Sequence, residues 1–377
     1  MKPETLCVCA PRGEDPYDAI SPPIYQTATF RQPGATELGE YDYSRTANPT
    51  RALAEQQIAA LERGAFACAF GSGMAALVAV TRLVKAGEEI LAGDDLYGGT
   101  VRLLCRVAPE LGVRVRHVDT TDPAAVAAAI SPATRLLLVE TPTNPLLRIA
   151  DLARLAEIAH RRDVLLAVDN SLLSPCLQRP LDLGADLVIH SATKFLCGHG
   201  DVSAGAVVTD DAALHERLAF HLNAEGTGLA PFDSWLLLRG MKTLALRVER
   251  QCATAARIAD FLAAHHQVEK VLFPALAPPA IREIHERQAS GPGSVVSFTT
   301  GDPELSRRIV ESARLFAIAV SFGAVGSSIS LPCRMSHASI PDELRGRLGP
   351  PPDLIRLSVG IEDADDLIAD LERALKA

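Results

Sequence analysis

The chain has 377 residues, enough for two domains and a large buried core. Apolar residues make up 48% and charged residues 22%, an ordinary globular balance. The net charge of −9 argues against nucleic acid or an anionic membrane as the main partner, and leaves room for a small basic patch that takes an anionic ligand.

Residues 1–48 are rich in Pro, Tyr and Thr with little periodicity and read as an extended arm. Their opening, "MKPETLCVCAPRGEDPYD", carries acids early and no long apolar core, so it does not read as a secretory signal. No apolar run reaches the ~18 residues needed to span a bilayer. A soluble, cytoplasmic protein is expected.

From about residue 49, apolar β-like runs alternate with helical patterns. The strand candidates are "AFACAF" (65–70), "EEILAG" (88–93), "VRVRHV" (113–118), "RLLLVE" (135–140), "VLLAVD" (164–169), "ADLVIH" (185–190) and "AGAVVT" (204–209). Several are apolar throughout, as expected for strands covered on both faces. Between them, "MAALVAVTRLVKAG" (74–87) reads as a helix ending on a glycine. "DLARLAEIAHRRD" (151–163) opens with an Asp suited to an N-cap and places Leu152, Leu155, Ala156 and Ala159 on one face. The alternation predicts an α/β fold: a mostly parallel seven-stranded sheet in a large domain, 49–245, with helices on both faces.

Residues 228–265 read as long helical stretches, after which the pattern changes. Strand-like "SVVSFTT" (294–300), a helix near 303–316, "IAVSFG" (318–323), "LIRLSVG" (354–360) and a final helix from about 363 predict a smaller α+β domain, 246–377. Residues 274–293 read as a loop around a short helix. The eight cysteines show no CxxC pair and no Cys/His cluster with zinc spacing. Buried reduced thiols are expected, and no metal.

Ligands of open α/β sheets bind at the carboxyl ends of the strands, so the polar residues there are the candidates. "GSGM" (71–74) lies between a strand and a helix, where glycines allow close approach and free N–H groups suit a phosphate. It is neither the GxGxxG nor the Walker pattern, and alone it could be a turn. Asp169 closes an apolar strand, where an unpaired charge is costly. Lys194 directly follows another, with hydroxyls at Ser191 and Thr193. Its amine can form a Schiff base with an aldehyde, and the hydroxyls can donate to phosphate. A phosphate cradle, an acid and an amine at neighbouring strand ends match pyridoxal 5'-phosphate, with Tyr97 in "DDLYGGT" able to stack on its ring.

Seven segments carry a resemblance: "YSRTANPTR" (43–51), "GSGMAAL" (71–77), "GDDLYGGT" (93–100), "ETPTNP" (140–145), "VDN" (168–170), "SATKF" (191–195) and "LIRLSVGIED" (354–363). In this order, over nearly the whole chain, they resemble the Cys/Met-metabolism family of pyridoxal-phosphate enzymes, which comprises cystathionine β-lyases, γ-lyases and γ-synthases and methionine γ-lyases. Residues 223–249 and 318–341 are similar to the plant-type β-lyase branch.

The resemblance implies a fold-type I, transferase-like architecture. It implies that Lys194 holds the cofactor and removes protons, that Asp169 faces the ring nitrogen, and that Gly73, Met74, Ser191 and Thr193 bind the phosphate. Tyr97 would stack and assist catalysis, with Asn144 beside the ring hydroxyl. Tyr43 and Arg45 of the arm would complete the adjacent subunit's site. Arg356, with a planar fork suited to a carboxylate, would bind the substrate, assisted by Ser327, Asn144 and Tyr43. The implied substrate is a small sulfur amino acid, and the implied assembly a homotetramer of two active-site-sharing dimers.

Where γ-acting members typically carry Glu and plant β-lyases a basic residue, this chain has Gly326, and "GHGD" (198–201) places Gly200 where the family has Ser. The expected activity is β-cleavage of cystathionine in methionine biosynthesis. The alternatives are γ-elimination, γ-replacement, or a catalytically silent member.

Overall fold

A computed structural model describes residues 1–9, 15, 17–338, 340, 346 and 348–376. Parts of the opening stretch and of the 318–341 segment quoted above lie outside the described residues. The large sheet contains β1 (Phe66–Phe70), β2 (Glu89–Gly93), β3 (Arg114–Val118), β4 (Thr134–Glu140), β5 (Leu165–Asp169), β6 (Leu187–His190) and β7 (Gly205–Thr209). Their spatial order is β1-β7-β6-β5-β4-β2-β3. Only β7 runs against its neighbours, and the pairs β6-β5, β5-β4, β4-β2 and β2-β3 are parallel.

The period of two along each strand splits its side chains between two cores. Leu136 and Leu138 of β4 join one cluster with the helix Gly73–Thr81. Leu137 and Val139 join another with the helix Leu152–His160. Ala67 and Ala69 of β1 pack with the helix Pro49–Glu62, whereas Cys68 and Phe70 face the opposite side. Asp151 caps its helix by accepting from the Arg154 N–H, and Leu152, Leu155, Ala156 and Ala159 are buried.

The second sheet is β10-β11-β12-β9-β8, built from β8 (Lys270–Leu272), β9 (Val295–Thr299), β10 (Ala317–Ile318), β11 (Ser328–Ser330) and β12 (Ile355–Ser358). Ile355 and Leu357 point into a separate core with Phe298 and the terminal helix Ala364–Leu375. The alternate face carries Arg356 and Ser358, whose contacts reach the large domain's site (below). One helix, Leu244–Ala264, runs across residue 246. Its Leu244 and Val248 belong to the large-domain core, and its Ala255, Ile258 and Leu262 to the small-domain core.

The short helix expected within 274–293 is Pro279–Gln288, and three local expectations change. The arm is not extended throughout, because Pro3–Val8 is helical and buries Cys7. The helix expected at 74–87 ends at Thr81. The strand expected at 318–323 stops at Ile318, for a reason given below. All eight cysteines are free thiols, and Cys9 is exposed rather than buried. Among the described residues no helix is long and apolar enough to cross a membrane.

Candidate active site

The carboxyl ends of β1, β2, β4, β5 and β6 lie along one edge of the large sheet, and the chain leaves each through a polar turn. These turns line a single cavity with Gly73, Met74, Tyr97, Asn144, Asp169, Ser191, Thr193 and Lys194. Glu140, Ser72, Ser171, Ser203 and Phe322 join them.

Glycine is required where the turns meet. A Cβ at Gly73 would lie 2.8 Å from the Ser191 Cβ, so the helix start can press against the Ser191 turn only without a side chain. Ser72 caps that helix by accepting from the Ala75 N–H. The first-turn N–H groups of Gly73 and Met74 have no intrahelical acceptor and, with the helix dipole, present an anion site. A Cβ at Gly99 would lie 2.4 Å from the Tyr97 ring and 2.9 Å from the Met74 sulfur. The Tyr97 ring therefore folds back over Gly99 beside the anion site.

Lys194 is the amine of the cavity. Its Nζ donates to Ser321 Oγ at 2.5 Å and lies 4.9 Å from the Phe322 ring centroid. Burial, and next the Arg356 charge, push its pKa down to about 8, while Asp169 opposes them. Asp169 ends β5 and accepts from the Ser171 N–H at 3.0 Å. Burial raises its pKa, against the pull of Ser171, His190 and Lys194.

Arg356 is 2% exposed and lies on β12. Its Nη1 donates to Asn144 Oδ1 at 3.0 Å and its Nη2 to the Ser321 carbonyl at 2.6 Å. Its Nε is buried without a partner, which leaves a donor for an incoming carboxylate. Ser321, which the sequence reading did not single out, thus touches both Lys194 and Arg356. It holds φ +86, and this left-handed turn is what ends the strand expected through residue 323. Glu140 also escaped the sequence reading, although it closes "RLLLVE" just as Asp169 closes "VLLAVD". Its Oε1 accepts from the Asn144 N–H at 2.7 Å and its Oε2 from the Tyr97 N–H at 3.1 Å.

Three expected site residues are placed elsewhere. The Ser327 N–H donates to Glu362 Oε1 at 2.6 Å, its hydroxyl donates to Glu362 Oε2 and accepts from the Gly360 N–H, and its carbonyl accepts from Ala317. Ser327 is therefore a buried structural serine outside the cavity, with its polar groups already engaged. Tyr43 and Arg45 stand on the surface away from this chain's own cavity: Tyr43 is 42% exposed, and Arg45 donates to Asn223 and lies over the Tyr43 ring. The Thr193 hydroxyl lines the cavity but is engaged with the backbone of Ala204, donating at 3.2 Å and accepting at 2.9 Å.

Residues 4–376 match the profile of the family described as "Cys/Met metabolism PLP-dependent enzyme". The chain belongs to this family. It is 54% identical to the chloroplastic cystathionine beta-lyase of Mimosa pudica, over 96% of this chain and 79% of that protein. It is 47% identical to the cystathionine gamma-lyase of Bacillus subtilis (strain 168), over 100% of both chains. The crystal structure of cystathionine gamma-lyase from Lactobacillus plantarum complexed with L-serine superposes with a TM-score of 0.96 at 45% identity, covering 100% of this chain and 99% of that one.

The residues present fit the family's cofactor, pyridoxal phosphate. An anion site that a Cβ would fill, a buried acid and an amine face one cavity, with an aromatic ring folded at its side. Lys194 would hold the group, Gly73, Met74 and Ser191 its phosphate, and Asp169 its ring nitrogen.

Proposed function

We propose that the protein is a carbon–sulfur lyase that splits L-cystathionine at its Cβ–S bond and, with one water, gives homocysteine, pyruvate and ammonia. The observation that carries the lyase chemistry is the placing of Lys194. A buried amine with its pKa pushed down to about 8 is poised between an acid and a carboxylate-binding guanidinium. Bound pyridoxal phosphate supplies the electron sink for charge that develops at the substrate's Cα.

This chain's own residues do the rest. Arg356 orients the substrate carboxylate with its fork and free Nε, which aims the Cα–H bond toward Lys194. Lys194, partly neutral near pH 8, takes that proton as general base. Asp169 keeps a negative partner at the ring nitrogen in a buried position. Tyr97 and Lys194 are the groups at hand to give a proton to the departing homocysteine sulfur.

The choice of β-cleavage is supported by the 54% identity to a plant β-lyase. Gly326 adds to it: it stands where the γ-acting members typically carry Glu, and a Cβ there would meet no atom within 4 Å. The identity to a γ-lyase over the full chain favours γ-elimination as the second reading. Incubating the pure holoenzyme with L-cystathionine and identifying the keto acid decides between them. Pyruvate is expected, 2-oxobutyrate without pyruvate would replace the β reading with the γ reading, and a coenzyme-loaded protein that turns over no sulfur amino acid would mark a silent member.

The exposed Tyr43 and Arg45 support a dimer in which each arm reaches the neighbour's phosphate site, with two such dimers forming a tetramer. Release of homocysteine places the reaction in methionine biosynthesis.

A further inference from the structure

We propose that Glu140 is a positioning residue that ties the ring-stacking wall of the cavity to its carboxylate-binding end by accepting a backbone hydrogen bond on each of its two carboxyl oxygens. The proposal rests on the pyridoxal-phosphate reading of the site.

Glu140 is 6% exposed at the end of β4. One oxygen takes the N–H of Tyr97, from the turn after β2, and the other takes the N–H of Asn144, from the turn after its own strand. From Asn144 the path continues without a break. Its Oδ1 receives Arg356, Arg356 donates to the Ser321 carbonyl, and the Ser321 hydroxyl receives Lys194. A single side chain thus fixes the distance between the ring that stacks on the cofactor and the amide that aims the substrate's guanidinium clamp. The small domain adds a weaker brace. His337 Nε2 lies 3.3 Å from the Leu96 carbonyl and 3.2 Å from the Asn144 carbonyl. This brace ties the same two turns independently of Glu140.

Glu140 pairs in register with Asp169 on the adjacent parallel strand, and both face the cavity. Burial, and next the Asp169 charge, raise the Glu140 carboxyl well above its ordinary range. A carboxylate offers an accepting oxygen on each side, whereas a glutamine amide offers one acceptor and one NH₂ donor. In Glu140→Gln one of the two backbone N–H groups would face another donor. Glu140→Asp keeps both acceptors, set back by one methylene.

The test compares holoenzymes of the wild type, Glu140→Gln and Glu140→Asp. The readouts are the visible circular dichroism of the bound coenzyme, and kcat and KM for L-cystathionine. Glu140→Gln is expected to weaken the coenzyme band. It should also lower kcat/KM by about 5- to 150-fold, the effect of leaving a buried donor without its acceptor. Most of the change should fall on KM, because Asn144 aims Arg356. Glu140→Asp is expected to recover part of both signals. A Glu140→Gln enzyme with the wild-type band and kcat/KM would overturn the proposal, as would an Asp variant worse than Gln. If the Gln variant does not fold, the Asp variant and its coenzyme band decide. The dichroism needs no substrate, so the clamp is judged separately from the lyase reading, which stands or falls on the wild type's keto acid.

Discussion

Replacing Gly99 by alanine should separate the stability of the fold from its grip on the coenzyme. The new Cβ would fall 2.4 Å from the Tyr97 ring and 2.9 Å from the Met74 sulfur, too close for either to stay. The ring is 37% exposed, so it can swing outward without unpacking the core. Gly99 lies in the helix Gly98–Arg102, where alanine is the better helix former by up to about 1 kcal/mol. The apoprotein should therefore unfold at the same or a slightly higher temperature. The displaced ring loses its stacking on the coenzyme, about 0.5–1.5 kcal/mol beyond buried area, which weakens binding by about 2- to 12-fold. Titrating the apoenzyme with pyridoxal phosphate, followed by visible circular dichroism, measures that loss, and calorimetry of the apoprotein measures the fold. A Gly99→Ala protein with unchanged coenzyme affinity would refute the placing of the Tyr97 ring. So would one whose affinity loss is matched by a drop in apoprotein stability.

Ser321→Ala removes the acceptor of Lys194 Nζ, a bond to a charged donor contributing about 1.5–3 kcal/mol. Loss of this acceptor for the charged amine should move the Lys194 pKa further down, seen as a downward move in the pH midpoint for coenzyme capture by the apoenzyme. Lys194→Met tests linkage in the apoprotein. The folded pKa of about 8 lies below the ordinary 10.5, so the unfolded chain binds an extra proton between those values. Lys194 then adds stability as pH rises from about 8 to 10.5 and loses it as pH falls back through 8. Denaturant unfolding across that window should show a smaller rise for Lys194→Met than for the wild type. Glu62→Ala strips a buried acceptor from His190 Nε2 at 2.6 Å and from Asn170 Nδ2 at 2.8 Å. Urea titration should show a loss of about 2–6 kcal/mol, about 1–3 kcal/mol for each buried donor left without its acceptor.

The large sheet was legible because its strands are short, apolar runs covered on both faces, each followed by a helix start or a polar turn. β4 alternates Leu136 and Leu138 with Leu137 and Val139 between two cores, and only a doubly covered strand uses such a run. The small sheet was less legible because β10 and β11 are two and three residues long, too short for a period-two pattern to show. "IAVSFG" has strand-like composition, yet Ser321 turns left-handed there. What holds it is non-local: Lys194 lies 127 residues earlier and Arg356 35 residues later. Local propensity cannot register such a constraint, and breaks of this kind gather at functional sites. Ser327 shows the converse. A serine close to the expected carboxylate site looked available, but Glu362 had already taken its donors.

The acids reveal a rule that sequence reading could have applied more evenly. Asp169 was singled out because a carboxylate ending an apolar strand must find a donor or a cation. Glu140 meets the same condition on the neighbouring strand, and the parallel register sets the two side by side. Two full charges at that spacing would oppose each other, and burial with the Asp169 charge raises the Glu140 carboxyl while its two backbone N–H donors pull the other way. The two acids differ in what the backbone gives them. Glu140 holds two N–H groups from turns that must stay still, while Asp169 is held by the Ser171 N–H and keeps capacity for a ligand. The division of labour thus follows from where each strand ends relative to its neighbours' turns, and the same test can be put to any parallel sheet with two acids at adjacent carboxyl ends.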